Sequence, residues 1–314
     1  MADDQLCLLS VHAHPDDEAS KGAGTVARYL SEGVRTVLVT CTGGEAGDIL
    51  NPAMDRPEVR ADLPAVRLRE LARAAEIIGY EHVELFGYRD SGMPDTPPNA
   101  HPDAFANADL DEAVGRLVEI VRRERPQVII TYGDEQSFYP HPDHLRVHDI
   151  SLPAFERAGD PDAYPGTGEP WQPLKLYYSM WSRRRIELMH KRFGELGLES
   201  PYDEDWFTRP WQDDRITTSV DITGFTDVRL DALLAHETQI DPTSPFWFGL
   251  PREDLLAIHP YDEYVLARSR VDSDVPETDL FAGVRPAASA GGDGASGAGP
   301  ALDHAGRGGG SGSR

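Results

Sequence analysis

The sequence predicts an α/β fold: a Rossmann-like, mostly parallel sheet with helices on both faces, plus a smaller C-terminal lobe. Two patterns carry this expectation. Short apolar runs recur along the first half of the chain, and segments with a 3.6-residue apolar period separate them. The length of 314 residues, 39% of them hydrophobic, leaves room for a sizeable core.

The elements follow in order. Residues 6–11 (LCLLSV) form the first apolar run and read as a strand, followed by a helical pattern over 20–31. Residues 36–42 (TVLVTCT) give the second strand and 63–78 the second helix. A third strand at 82–86 leads to a helix over 110–125, which ends at Pro126 because proline cannot donate to a continuing helix. Residues 128–132 (VIITY) form the fourth strand, and a helix over about 143–157 follows. Beyond about residue 160 the pattern weakens, with strands expected at 174–180 and 217–222 and a helix at 225–238. We therefore expect one catalytic domain over 1–285, with its core at about 1–160 and its lobe at about 161–285. Residues 286–314 hold 10 of the 29 glycines, no aromatic residue and one large aliphatic, Leu302, and read as a disordered Gly/Ala/Ser-rich tail.

The 54 Asp and Glu against 30 Lys and Arg leave a formal charge of −24. The charges of the tail cancel, Asp293 and Asp303 against Arg307 and Arg314, so the acidity belongs to residues 1–285. Nucleic acid and anionic membranes are poor partners for such a surface. Only Cys7 and Cys41 are present, which excludes a disulfide framework and Cys-rich zinc sites. The start MADDQLCLLS lacks the features of a signal peptide, and no apolar run reaches the ~18 residues of a membrane span, so a cytoplasmic location is expected.

In open parallel sheets, ligands sit beyond the carboxyl ends of the strands. The first strand does not run into a G-x-G-x-x-G or G-K-[ST] loop, which argues against nucleotide binding, but into V-H-A-H-P-D-D-E at 11–18. The fourth strand is followed by Y-P-H-P-D-H at 139–144. The i, i+3 spacing of His14 and Asp17 lets a strand-to-helix turn aim an imidazole and a carboxylate at one cation, and Pro15 stiffens that turn. His144 after the fourth strand offers a third ligand. Two histidines and one carboxylate with an open position suit a catalytic Zn(II), one per chain, and also suit Fe(II). Either motif alone could be helix capping by Asp16 or Asp17; the two at neighbouring strand ends point to a site. By contrast, His101-Pro102-Asp103 lies in a polar loop and reads as a turn, His148 as a packing residue, and His12 as a core histidine or one behind the ligands.

These motifs resemble the A-H-P-D-D-E and H-P-D-H signatures of the LmbE/PIG-L family of metal-dependent deacetylases. The likeness extends through 40–48 (TCTGGEAGD), 49–54 (ILNPAM), 89–92 (RDSG), 168–171 (GEPW), 175–178 (KLYY), 238–242 (TQIDP), 266–270 (LARSR) and 280–283 (LFAG). Within the family it is similar to the amidase branch, which cuts S-conjugates of mycothiol into glucosaminyl-inositol and a mercapturic acid. A sister branch deacetylates N-acetylglucosaminyl-inositol, and a non-catalytic binding module is disfavoured because the reacting residues are retained.

The resemblance implies a Rossmann-like fold and a metal held by His14, Asp17 and His144, with Asp16 as general base. It implies Tyr139 and His141 as stabilisers of the oxyanion, with Asp143 orienting the imidazole of His141 and favouring its cation. Lys21 falls where the amidase branch carries lysine and would meet the larger acyl group, while Arg67 and Asp90 would hold sugar and inositol hydroxyls. Asp48 corresponds to an acidic position near the site, and His236 to a helix-packing residue of the lobe. A small-molecule substrate is thus the expected partner.

Overall fold

The computed structural model describes residues 5–134, 136 and 139–285, so the tail expectation lies outside the described residues. Seven strands, β1 (Cys7–His12), β2 (Arg35–Thr42), β3 (His82–Tyr88), β4 (Val128–Thr131), β5 (Lys175–Met180), β6 (Thr218–Asp221) and β7 (Tyr261–Ser269), form one sheet in the order β3-β2-β1-β4-β5-β7-β6. The pairs β1–β2, β2–β3, β1–β4 and β4–β5 are parallel, whereas β7 runs antiparallel to both β5 and β6.

The helices are α1 (Asp17–Ser20), α2 (Ala23–Ser31), α3 (Pro57–Ala61), α4 (Leu63–Ile78), α5 (Leu110–Glu124) and α6 (Pro142–Arg157), then α7 (Arg183–Glu195), α8 (Glu204–Thr208), α9 (Thr226–Ala235), α10 (Pro245–Phe248) and α11 (Arg252–Ala257). Alternation along the strands builds two cores. Cys7, Leu9 and Val11 of β1 join Val37 and Val39 of β2 against Leu117 and Val121 of α5 and Ile150 of α6. Leu8, Leu38 and Ile130 face the other way, against Val26 of α2, Leu71 and Ala74 of α4 and Leu233 of α9. A third, aromatic cluster forms in the C-terminal part, where Ile186, Met189 and Phe193 of α7 bury one helical face beside Tyr202 and Leu250.

The structure departs from the sequence reading in places. The helix expected over 20–31 is two helices, because Gly22 breaks it at φ 104°, and a Cβ there would come within 3.0 Å of the Tyr264 hydroxyl oxygen. Strand β7 and helix α7 were not expected. The 261–269 run is interrupted by Asp262, Glu263 and Arg268, yet Asp262 is buried because Thr25 and Arg229 donate to its carboxylate. Residues beyond 160 thus extend the main sheet by three strands as well as adding the aromatic cluster.

Chain growth reverses at β1: β2 and β3 lie on one side and β4 on the other. The loops leaving β1 and β4 therefore open a crevice at the carboxyl edge of the sheet, the position that a doubly wound fold offers to a ligand.

Candidate active site

The turn after β1 is fixed by hydrogen bonds to its backbone groups. The Ala13 N–H donates to the Tyr132 hydroxyl at 3.1 Å, and the Thr42 N–H donates to the Ala13 carbonyl at 2.9 Å. The His14 N–H donates to Asp17 Oδ2 at 3.0 Å, which draws the carboxylate back over the turn. Across the crevice, α6 starts at Pro142 with His141 as its cap, whose Nδ1 accepts the Asp143 N–H at 3.2 Å. That cap places Asp143 and His144 in the first turn, facing the β1 loop.

Asp17 Oδ2 lies 3.4 Å from His14 Nδ1 and 3.4 Å from His144 Nε2. Ligand bonds of about 2.0–2.2 Å in a tetrahedral site put neighbouring ligand atoms about 3.3–3.5 Å apart. The three buried side chains thus have the spacing of ligands around one small cation. Behind them, His14 Nε2 lies 3.2 Å from Asp143 Oδ2 and 3.7 Å from Asp90 Oδ1. A carboxylate on the far nitrogen of a ligating histidine fixes its tautomer and raises its basicity.

Asp143, whose carboxylate was expected at His141, has other hydrogen-bond partners for it in the structure. Its carboxylate engages His14 and also accepts from the Ser91 N–H at 3.0 Å and from the Ser91 hydroxyl, while only its backbone N–H reaches His141. Opposing influences act on the His141 ring, which was expected to be protonated. Burial, and then the neighbouring His14, lower its pKa, and the carboxylates of Asp143 and Asp90 do not overcome them. With Nδ1 accepting a backbone N–H, Nε2 is the nitrogen left to donate.

The motif D-D-E places three carboxylates in a row, and each receives its own basic partner. Arg67 Nη2 lies 3.0 Å from Asp16 Oδ2, Lys21 Nζ 2.5 Å from Asp17 Oδ1, and His236 Nε2 2.5 Å from Glu18 Oε1. Asp16 itself sits at φ 116°, a conformation that few residues with a side chain adopt. Burial raises the pKa of Asp16; Arg67 opposes the rise and Asp17 adds to it.

Arg67 was expected to reach for sugar hydroxyls; in the structure its Nη atoms donate to the protein, while Nε has no hydrogen-bond partner among the described residues. Besides Asp16 it donates to the Pro15 carbonyl at 2.6 Å and to the Gly44 carbonyl, and it is 3% exposed. Gly44 is required there, since a Cβ would collide with the guanidinium. Lys21, expected at the acyl group, rests on the Asp17 carboxylate and at 5.5 Å over the Tyr132 ring. Asp90 accepts the Gly92 N–H at 2.8 Å and the Ala46 N–H at 3.1 Å; despite burial, these bonds and His14 hold its pKa well below the ordinary carboxylate range. Tyr139 is 54% exposed, its ring 5.9 Å from His141 and 5.3 Å from His144.

Other histidines fall outside the cluster. His12 is fully buried edge-on against Tyr132, neither ring nitrogen has a hydrogen-bond partner among the described residues, and burial lowers its pKa to about 4. His148 turns to the Tyr132 carbonyl at 3.3 Å and the Tyr178 ring, and His101 accepts the Asp103 N–H at 3.1 Å within a turn. Near Asp48, the Gln239 amide donates to its backbone carbonyl at 3.0 Å. Sequence reasoning missed Ser91 and Glu18. Both lie inside stretches it singled out, but their roles depend on partners 52 and 218 residues away.

Comparison with known proteins bears on this geometry. The PIG-L family model, described as GlcNAc-PI de-N-acetylase, matches residues 9–155. The mycothiol S-conjugate amidase of Streptomyces coelicolor is 47% identical over 292 residues, covering 90% of this chain and 98% of the relative. The chain belongs to the PIG-L family. A second relative, the 1D-myo-inositol 2-acetamido-2-deoxy-alpha-D-glucopyranoside deacetylase of Streptomyces avermitilis, is 39% identical over 292 residues, 89% of this chain and 97% of its own. Among solved structures, the N,N'-diacetylchitobiose deacetylase of Pyrococcus horikoshii aligns with a TM-score of 0.56 at 16% identity, over 84% of each chain. A conserved protein of Thermus thermophilus aligns at 0.55 and 23% identity, over 85% of this chain and 97% of its own, and both share the α/β fold. As a PIG-L family member the chain is an amide-bond hydrolase, and among its described residues no helix is long and apolar enough to cross a membrane.

Proposed function

We propose that this PIG-L enzyme hydrolyses the amide of mycothiol S-conjugates, releasing glucosaminyl-inositol and a mercapturic acid, as a step in thiol-based detoxification. The observation that carries the substrate choice is the full-length likeness, 47% identity to an amidase against 39% to a deacetylase. Two imidazoles and a carboxylate at tetrahedral spacing fit Zn(II), with Fe(II) as the other ion that suits such a set.

When bound by His14, Asp17 and His144, the ion supplies Lewis acidity and a water of lowered pKa. The remaining steps fall to side chains. Asp16 takes a proton from the attacking water, whose oxygen bonds to the acyl carbon. The Nε2–H of His141 and the hydroxyl of Tyr139 donate to the developing oxyanion. As the C–N bond breaks, Asp16 returns the proton to the departing amine of the glucosamine. Arg67 opposes the rise that burial causes in the pKa of Asp16, and Asp143 and Asp90 hold His14 in its ligating orientation.

The same chemistry serves N-acetylglucosaminyl-inositol, and the 39% relatives support that second reading. Comparing kcat/KM for a bimane conjugate of mycothiol and for the acetylated sugar tests the choice; a preference for the acetylated sugar reverses it.

A further inference from the structure

The buried pair Glu18–His236 belongs to neither the ligand set nor the groups that face the crevice, yet it touches the backbone of Asp16. Glu18 Oε2 accepts the Asp16 N–H at 3.0 Å, while its other oxygen takes the His236 ring at 2.5 Å. Both residues are 0% exposed. Asp16 needs such a hold, because at φ 116° a residue with a Cβ is strained, and strain of this kind persists only where the surroundings impose it. A second grip comes from Arg67, which binds the Pro15 carbonyl on one side of that residue and the Asp16 carboxylate on the other. His236 closes α9, and α9 packs on α1 and α4, so the Glu18–His236 pair ties the C-terminal part to the turn that holds the base.

We infer that Glu18 and His236 are positioning residues, which lock the Asp16 peptide in its left-handed conformation and so aim the base. The assignment rests on the reading of Asp16 as general base. Glu18 cannot replace Asp16, since both of its oxygens are engaged away from the crevice. Nor does the pair contact the metal ligands through its side chains, so its loss leaves the ion in place and misdirects the base.

The test uses the full-length, zinc-loaded chain with both the bimane conjugate and the acetylated sugar. His236→Ala and Glu18→Ala are expected to lower kcat by about 10–100-fold with KM little changed and one zinc per chain retained, the scale of loss that a displacement of about 1 Å produces. His236→Gln, whose amide can still donate to Glu18, is expected to recover most of the rate and guards against a variant that fails to fold. In an Asp16→Asn background, His236→Ala is expected to cost nothing further, because a group acting only through the base has nothing left to act on. Unchanged kcat in His236→Ala, the same fold-loss in the Asp16→Asn background, or a loss that tracks zinc content each overturns the inference. A wild-type chain active on neither substrate overturns the functional reading and this inference with it, whereas an Asp16→Asn variant at full rate removes only the base assignment and the inference built on it.

Discussion

The Lys21 ammonium sits 2.5 Å from Oδ1 of Asp17 and leaves Oδ2 to face His14 and His144 at 3.4 Å each. One oxygen of the carboxylate thus meets a protein cation and the other faces the two imidazoles, so Asp17 would offer a metal ion a single oxygen. Replacing Lys21 by Ser frees Oδ1 and removes the charge that keeps it ionised. Zinc affinity, measured by competition with a chelator, is expected to fall about 10-fold, the lower end of what loss of a group behind a ligand costs. Under zinc saturation, turnover of the conjugate should fall more than turnover of the acetylated sugar. An unchanged zinc affinity would leave Lys21 as a substrate contact alone.

Arg67 governs the proton affinity of Asp16. Its guanidinium lowers the pKa of that carboxyl against the upward push of burial and of Asp17. In Arg67→Met the pKa rises further, so the ionised base disappears at a higher pH. The acid limb of the kcat/KM profile should therefore move to higher pH; a limb that stays put or moves down would show that another group sets it.

Away from the site, Lys175 and Glu277 form an ion pair at 2.5 Å with both side chains fully buried. Tyr177 and Thr218 also donate to Glu277, at 2.6 and 2.9 Å. Lys175→Met strands the carboxylate, and urea unfolding should show a loss of about 3–5 kcal/mol. Burial raises the pKa of Glu277, but Lys175, Ser273, Tyr177 and Thr218 outweigh it and leave it lowered. A lowered folded-state pKa stabilises above the ordinary value for Glu, and that contribution drains away as pH falls through the folded value. Glu277→Gln should accordingly flatten the acid side of the stability profile, and an equally steep acid loss in that variant would count against it.

How much of this was legible in the sequence follows from how local each signal is. The strands β1, β2 and β4 stood out because buried parallel strands are largely apolar, and the two histidine motifs stood out because they follow β1 and β4. Their meeting at the switch point followed from the fold. The partners did not. Arg67 is 51 residues from Asp16, and His236 is 218 from Glu18; nothing in either neighbourhood marks it as the cation for a particular carboxylate. The family resemblance pairs Asp143 with His141, whereas the helix cap turns its carboxylate to His14 and Ser91. Strand β7 was hidden by Asp262, a charge tolerated in the interior only because Arg229 and Thr25 meet it there.

The central claim is that one ion at His14, Asp17 and His144, served by Asp16, hydrolyses a mycothiol S-conjugate. It is tested most directly by incubating the zinc-loaded chain and its Asp16→Asn variant with the bimane conjugate of mycothiol and following release of the bimane mercapturic acid. The account predicts steady release by the wild type, abolished by chelation and restored by zinc, and a rate at least about 100-fold lower in Asp16→Asn with zinc still bound, within the usual range for loss of a general base. No release by the zinc-loaded wild type, or equal release by the two proteins, would contradict it.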